Sequence, residues 1–169
     1  MVKIQPRLQH ELGKKEAWRI GLGNLHKEDG PAIIKNDGSK EWWEHGNRHR
    51  LDGPAVMDSD GTLEWWVNGV RHREDGPAIE RSNGSKEWYL NGDLHRIGGP
   101  AIETSNGSNA WYLNGYPHRI DGPAIEYIGG IKIWALYGVK ISQREHFHKS
   151  SYWRTLSDEE QIHYLLSIP

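Results

Sequence analysis

Histidine is the first residue type to consider for chemistry, because five of the ten histidines recur at intervals of 23 residues. A stripe of imidazoles can bind metal, but zinc ligands must converge on one point at roughly 2.0–2.1 Å. If each interval holds two strands, equivalent residues lie about 10 Å apart and cannot share an ion. We therefore predict a structural role, with each imidazole packed on tryptophan and bonded to a following Asp-Gly-Pro bend, and no metal site. The recurring histidines are His26, His49, His72, His95 and His118.

A basic residue follows each of these histidines and can in principle bind phosphates or acidic partners. In a trial register, three of the arginines face a glutamate, as Arg73 faces Glu64, and such pairs are already neutralised. Arg119 instead faces Ala110, so the sequence predicts that any anion-binding residues are Arg96 and Arg119. The basic row consists of Lys27, Arg50, Arg73, Arg96 and Arg119.

The sequence contains no recognisable catalytic motif. The chain has no cysteine, which excludes thiol catalysis and cysteine-ligated zinc. Its repeated Asp-Gly-Pro acids are evenly spaced, whereas carboxylate pairs that catalyse hydrolysis converge on one bond. No P-loop, dinucleotide-binding glycine motif or serine elbow occurs, and residues 145–148 lack the second half of a metalloprotease motif. We therefore expect a non-enzymatic protein without a cofactor.

The recurring residues belong to a 23-residue repeat that runs without insertion from residue 26 to about 141. Each unit contains two turn signals of the Asn-Gly or Asp-Gly kind, which favour two-residue hairpin loops. Short runs rich in Trp, Tyr, Ile and Val separate the turns, so the pattern predicts two antiparallel strands per unit. Examples of the two turns are Asp60-Gly61 and Asn68-Gly69.

Turn positions define the trial register and therefore the two faces of the sheet. A two-residue loop at Asp60-Gly61 places Val56 opposite Trp65, so that Ile or Val, the recurring Trp and the recurring His share one face. A longer loop is the alternative at Asn83-Gly84, because the short loop sets Glu80 against Glu87. A second aromatic series lies on the opposite face, at Trp43, Trp66, Tyr89 and Tyr112.

Composition narrows the class of protein further. Nine tryptophans against one phenylalanine, with 36% hydrophobic residues, predict a core built from one large aromatic per repeat. A net charge of −2 disfavours nucleic-acid binding. No signal peptide or long apolar segment is visible, so we expect a cytoplasmic protein. We divide the chain into a degraded half repeat at 1–25, five repeats at 26–141 and a helical cap at 142–169, where Ser142 and Ser157 each begin a capping box.

The run from Tyr89 to His95, Tyr-Leu-Asn-Gly-Asp-Leu-His, followed by two glycines, resembles the MORN repeat. The resemblance covers residues 26–141. The sequence departs from the common MORN pattern where an Arg follows the His and where Asp-Gly-Pro-Ala then replaces the usual residues. It is similar to divergent MORN-like arrays of bacteria and their phages, some of which are antitoxin-like. The resemblance implies an elongated, curved β-meander used for protein contact or dimerisation. With the capping boxes, we predict a mainly β fold, a single curved antiparallel sheet with a short C-terminal helical cap.

Two functions follow as hypotheses. The first is a protein-protein interaction module that binds a toxin, a bacterial defence protein or a second copy through the aromatic series at Trp43, Trp66, Tyr89 and Tyr112, because Trp and Tyr are enriched in binding hot spots. Burial of both faces is the competing interpretation. The second hypothesis is a small-ligand or nucleotide-binding protein that uses the Trp, His and Arg positions of the repeats.

Overall fold

A computed structural model describes residues 6–9, 14–20, 23–145, 151, 155–156 and 160. The protein is mainly β, as predicted, and is organised as one long antiparallel sheet of hairpins that does not close on itself. The first strands are β1 (Pro6–Gln9), β2 (Lys14–Ile20), β3 (Ile33–Lys35), β4 (Lys40–Glu41), β5 (Trp43–Glu44), β6 (Asn47–Arg48), β7 (Val56–Met57), β8 (Leu63–Glu64), β9 (Trp66–Val67) and β10 (Val70–Arg71). The remaining strands are β11 (Ile79–Glu80), β12 (Lys86–Glu87), β13 (Tyr89–Leu90), β14 (Asp93–Leu94), β15 (Ile102–Glu103), β16 (Asn109–Ala110), β17 (Tyr112–Leu113), β18 (Tyr116–Pro117), β19 (Ile125–Glu126), β20 (Lys132–Leu136) and β21 (Val139–Ile141).

Each repeat contributes two hairpins that lie in different rows. In the repeat around Trp65, β7 and β8 belong to the long sheet, whereas β9 and β10 form a separate two-stranded hairpin. Trp65 interrupts the strand between β8 and β9, and its N–H donates to the Ala78 carbonyl of the next repeat at 2.8 Å. The chain leaves the long sheet in this way at Trp42, Trp65, Trp88 and Trp111, whereas Trp134 lies within β20 of the long sheet.

The second turn of each repeat is the two-residue loop that the sequence predicts. Asn68 and Gly69 have φ values of 50° and 83°, as a type I′ turn requires. Val67 pairs with Val70, and Trp66 pairs with Arg71. Asparagine and glycine tolerate the left-handed region well, which is why this dipeptide determines the register locally.

The first turn of each repeat is one residue longer than the two-residue prediction. The Asp58 N–H donates to the Thr62 carbonyl at 2.9 Å, and the Gly61 N–H donates to the Asp58 carbonyl at 3.0 Å. Only Gly61 has a positive φ, 92°, so the loop is of three residues with glycine in the left-handed position. At the equivalent turn, Glu80 pairs with Lys86 rather than facing Glu87. The longer-loop alternative is correct.

This change of one residue overturns the predicted face, since a one-residue slip moves every side chain to the other side of a sheet. Val56 pairs with Glu64, not with Trp65. The most buried apolar residues are the alanine of each Gly-Pro-Ala and, in the first three repeats, the Ile or Val beside it, such as Ala78 and Ile79, both 0% exposed. The recurring tryptophans are only partly buried. The core is therefore an Ala-Ile ladder, and the prediction of an aromatic core was wrong.

Successive repeats are joined through the recurring histidines. The Nδ1 atom of each accepts the backbone N–H of the Asn-Gly turn residue 19 positions later, as His72 accepts from Asn91 at 3.1 Å. The predicted bond to the Asp-Gly-Pro bend is replaced by this contact with the next hairpin. The other bonds of the series are His26 to His45, His49 to Asn68, His95 to Asn114 and His118 to Tyr137.

The described ends of the array follow the predicted pattern in part. Trp18, although out of phase, plays the role of a recurring tryptophan, because its N–H donates to the Ala32 carbonyl at 2.8 Å. Ser142 and Glu145 form a reciprocal capping box, with the Glu145 N–H donating to Ser142 Oγ and the Ser142 N–H to Glu145 Oε2. The capping box predicted at 157–160 and most of the predicted cap lie outside the described residues. No described helix is long and apolar enough to cross a membrane.

Candidate functional site

A guanidinium lies over four recurring tryptophans, Trp42, Trp65, Trp88 and Trp111. The Arg73 carbon Cζ lies 4.0 Å from the Trp65 ring centroid, a cation–π geometry. The same contact spans 3.7–4.2 Å in the other three arginine repeats, and Lys27 takes the position over Trp18 at 4.5 Å. We call this series the Trp-Arg row. It consists of Trp42 with Arg50, Trp65 with Arg73, Trp88 with Arg96 and Trp111 with Arg119.

The glycine of Gly-Pro-Ala packs on the other side of each guanidinium. A Cβ atom at Gly76 would lie 2.9 Å from Arg73 Cζ, and the equivalent distances at the other three repeats are 2.8–3.1 Å. Arg73 Nη1 also donates to the Pro77 carbonyl at 3.2 Å. The Gly-Pro step therefore supplies both a flat surface and an acceptor, which fix the guanidinium in place.

The carboxylates that pair with these arginines differ from the predicted ones. Arg73 Nε donates to Asp75 Oδ1 at 2.8 Å and Nη1 donates to Glu80 Oε1 at 2.9 Å, whereas Glu64 bonds to Arg71. The predicted pair of Glu64 with Arg73 is wrong, because the chain bends at Trp65 and separates the two side chains. The hydrogen bond from Arg73, followed by its charge, lowers the pKa of Asp75 below its ordinary value.

Arg119 has carboxylate partners as well, contrary to the expectation that it faces only Ala110. Its Nε donates to Asp121 Oδ1 at 2.7 Å, and its Nη1 donates to Glu126 Oε1 at 3.4 Å. Arg119 is therefore not distinguished from the other arginines by an unpaired charge, which was the reason for predicting anion binding there. Arg96 remains the different member of the row, since Gly98 stands where the other arginine repeats have Asp.

The second aromatic series forms a continuous strip along the second row of hairpins, and all four rings are partly buried. In the first three members, the polar atom of the ring donates to the glutamate two residues earlier. Trp66 Nε1 donates to Glu64 Oε2 at 2.8 Å, and Tyr89 Oη donates to Glu87 Oε2 at 3.0 Å. Burial, and then the nearby charge of Glu87, raise the pKa of Tyr89. We call the series the aromatic strip; its members are Trp43, Trp66, Tyr89 and Tyr112.

Two arginines that the sequence analysis did not single out interleave with the aromatic strip. Arg48 Cζ lies 5.2 Å from the ring centroids of both Trp43 and Trp66. Arg71 Cζ lies 4.9 Å from Trp66 and 5.5 Å from Tyr89. The His45-Gly46 and Asn68-Gly69 turns place Arg48 opposite Trp43 and Arg71 opposite Trp66, so the predicted register of the second hairpin contained this signal.

Glu41 shows how strongly the first part of the strip is held. Its side chain is buried, and it accepts hydrogen bonds from Trp43 and Arg48 while pairing with Lys35 at 2.9 Å. Burial by itself raises the pKa of Glu41. The hydrogen bond from Lys35 and the charges of Arg48 and Lys35 outweigh burial, so the pKa lies below its ordinary value.

The strip changes character toward the C-terminal repeats. Ala110 replaces the glutamate, so the Tyr112 hydroxyl makes no hydrogen bond to another described residue. Leu94 and Pro117 occupy the positions of Arg48 and Arg71. Burial, followed by the neighbouring Tyr127, raises the pKa of Tyr112. The strip therefore runs from an arginine-rich end to a neutral, apolar end.

Grooves open to solvent lie between successive members of the Trp-Arg row. Three of them have volumes of about 540, 750 and 440 Å³. Each is lined by a tryptophan, a histidine and two consecutive basic residues of the row, as with Trp65, His72, Arg50 and Arg73. Within the described ranges, no group of three or more His, Asp or Glu side chains is placed to hold a metal ion.

The chain matches no protein-family model, and no curated protein matches its sequence. The MORN-like assignment therefore remains a prediction from the repeated motif.

Proposed function

We propose that the chain is a non-enzymatic interaction module whose aromatic strip binds a protein partner. The observation that supports this proposal is the alternation of Trp43, Arg48, Trp66, Arg71 and Tyr89 at ring-to-guanidinium distances of 4.9–5.5 Å. Tryptophan, tyrosine and arginine are the residue types most enriched in interface hot spots. Their repetition along one row offers a partner a series of such anchors.

Preorganisation gives the strip a second advantage as a binding surface. Glu64 holds Trp66 and Arg71 together before any partner arrives, through bonds of 2.8 and 3.4 Å. Side chains that are already ordered lose less conformational entropy on association, which leaves more of the contact energy for affinity. The uncharged end at Tyr112 and Pro117 adds a surface that favours apolar contacts.

The resemblance to MORN-like arrays suggests which partners to examine first. A toxin or a defence protein of a bacterial or phage system, met in the cytoplasm, fits that resemblance, as does a second copy of the chain. These partners differ in stoichiometry, so the mass of the complex in solution separates self-association from binding to another protein.

The experiment is a capture from the native host with matched variants. Tyr89→Ser combined with Tyr112→Ser is expected to lose the partner while keeping the fold, because both residues belong to the strip. Tyr116→Ser is the control, since Tyr116 pairs with Leu113 and therefore points away from the Tyr112 side of the same hairpin. Equal capture by both variants would reject the strip as the binding surface.

The grooves of the Trp-Arg row support a second candidate, a small-ligand or nucleotide-binding protein. Their volumes of 440–750 Å³ fall within the range of ligand sites, and Trp, His and Arg suit a planar or anionic ligand. A thermal-shift screen against nucleotides tests this function, because a specific ligand raises the melting temperature by mass action. A flat response across the nucleotides would exclude them as ligands of the grooves.

A further inference from the structure

The fourth repeat departs from its neighbours at one position of the Arg-x-Asp-Gly-Pro loop. Arg50, Arg73 and Arg119 each donate Nε–H to the aspartate two residues later, at 2.7–2.8 Å. In the fourth repeat the residue two positions after Arg96 is Gly98, which has no carboxylate to accept this bond. Arg96 Nε makes no hydrogen bond to any described residue, and the Arg96 side chain is 31% exposed against 22–23% for the other three.

The Arg96 guanidinium nevertheless keeps the stacking contacts and the Nη1 bonds of the row. It lies 3.7 Å from the Trp88 ring centroid, and a Cβ atom at Gly99 would lie 3.0 Å from its Cζ. Its Nη1 donates to the Pro100 carbonyl at 3.0 Å and to Glu103 Oε1 at 2.6 Å. The Nε edge is therefore held in one orientation without an acceptor of its own.

The surroundings of this edge indicate what kind of group it suits. Arg96 and Gly98 line the groove of about 440 Å³ between the fourth and fifth loops. Its other walls include the apolar Ile97, Leu113 and Ile120 and the polar or charged His118, Arg119 and Asp121. Ile97 is 84% exposed. Arg96 pairs with one carboxylate, as Arg50 does, whereas Arg73 and Arg119 each pair with two, so the charge of Arg96 is less neutralised than theirs.

We propose that the Nε edge of Arg96 is a binding site for one carboxylate of a ligand, which replaces the aspartate side chain that Gly98 lacks. The apolar lining selects a carboxylate with apolar neighbours, such as an acidic side chain of a protein flanked by leucine or isoleucine. The site lies in the Trp-Arg row, and its groove is also lined by Tyr112 of the aromatic strip. Its test uses short peptides and needs no partner of the strip.

The probes are two blocked tripeptides, acetyl-Leu-Asp-Leu-amide and acetyl-Leu-Asn-Leu-amide, together with acetate. The readout is the ¹H–¹⁵N resonance of Arg96 Nε in the full chain. We expect the aspartyl peptide to shift this resonance saturably and to bind about tenfold more tightly than the asparaginyl peptide, because a charge-assisted hydrogen bond is lost. A response to acetate as strong as that to the peptide would support a small carboxylate as the ligand, and a stronger response to the peptide a protein side chain.

Two variants test whether the missing aspartate creates the site. Gly98→Asp supplies the carboxylate within the chain and should abolish the shift. Residue 98 has a φ of 79° as glycine, and the new aspartate must adopt the conformation of the other loops, in which the aspartates have no positive φ. Asp75→Gly should create a second responding Nε resonance, at Arg73. The proposal fails if Arg96 shows no saturable response to any probe. It fails as well if folded Gly98→Asp responds like the parent, or if Arg73 in Asp75→Gly stays silent.

Discussion

The Arg73 guanidinium lies 4.0 Å from the centroid of the Trp65 ring and turns its edge toward its own Asp-Gly-Pro loop. Gly76 packs on its opposite side, where a Cβ atom would approach within 2.9 Å. The arginine is therefore enclosed by tryptophan and glycine of the same repeat. This enclosure explains why Trp, Arg and Gly-Pro recur together at a fixed spacing.

We expect Gly76→Ala to lower the free energy of unfolding by about 1 kcal/mol, because the added methyl displaces Arg73 from Trp65 and weakens the cation–π contact. The same change should have a much smaller effect when Arg73 is already alanine. Chemical denaturation of the four proteins of this double-mutant cycle measures the coupling. Gly129→Ala is the control, since nothing lies within 4 Å of a Cβ atom there and no positive φ is involved. Additive effects of the two substitutions would contradict the enclosure.

The ion pairs along the second hairpin give a further prediction. Glu64 accepts from Arg71 Nη2 at 3.4 Å, whereas Arg73 bonds to Asp75 and Glu80. A double-mutant cycle of Glu64→Gln with Arg71→Gln should yield a coupling of about 0.2–1 kcal/mol. The cycle of Glu64→Gln with Arg73→Gln should yield none. A larger coupling for the second pair would restore the register that the sequence suggested.

Burial of the Ala-Ile ladder predicts where the fold is most sensitive. Ile79 is 0% exposed, so Ile79→Ala should reduce the free energy of unfolding by about 2–5 kcal/mol. Ile97 is 84% exposed, and the same substitution there should change stability by less than about 0.5 kcal/mol. Thermal or urea denaturation compares the two variants directly. Similar losses at both positions would show that the core lies elsewhere.

Glu41 predicts a loss of stability in acid. Its pKa in the folded chain lies below the ordinary value of 4.5, so the ionised carboxylate stabilises the fold above that pH. This contribution should be lost as the pH falls from 4.5 through the lower folded-state pKa. The melting temperature of the parent should exceed that of Glu41→Gln at neutral pH, and the difference should shrink below pH 4.5. A difference that stays constant with pH would exclude this role.

Local chemistry made half of the fold predictable from the sequence. Asn68-Gly69 demands two positive φ values and therefore determines the register of β9 and β10 without help from the rest of the chain. Asp60-Gly61 is ambiguous, because glycine alone in the left-handed position gives a three-residue loop with the same dipeptide. The like charges of Glu80 and Glu87 were the sequence signal that favoured the longer loop, and that signal was correct.

The partners of the arginines were harder to predict because they depend on a bend. A continuous strand through Trp65 would bring Glu64 and Arg73 together, but the chain changes rows at Trp65. Arg73 then bonds to a carboxylate of its own loop, Asp75, two residues away. The local Arg-x-Asp pattern contains this information, and its interruption at Gly98 identifies the exceptional repeat.

The affinity of the purified partner for two single variants tests the central claim most directly. Tyr112 and Tyr116 belong to the same hairpin and point to opposite sides, and only Tyr112 belongs to the aromatic strip. Calorimetric titration should show that Tyr112→Ser raises the dissociation constant by about 30-fold or more, as expected for a hot-spot tyrosine. The dissociation constant of Tyr116→Ser should stay within about twofold of that of the parent. Equal affinities for the two variants, or a greater loss with Tyr116→Ser, would contradict binding through the strip.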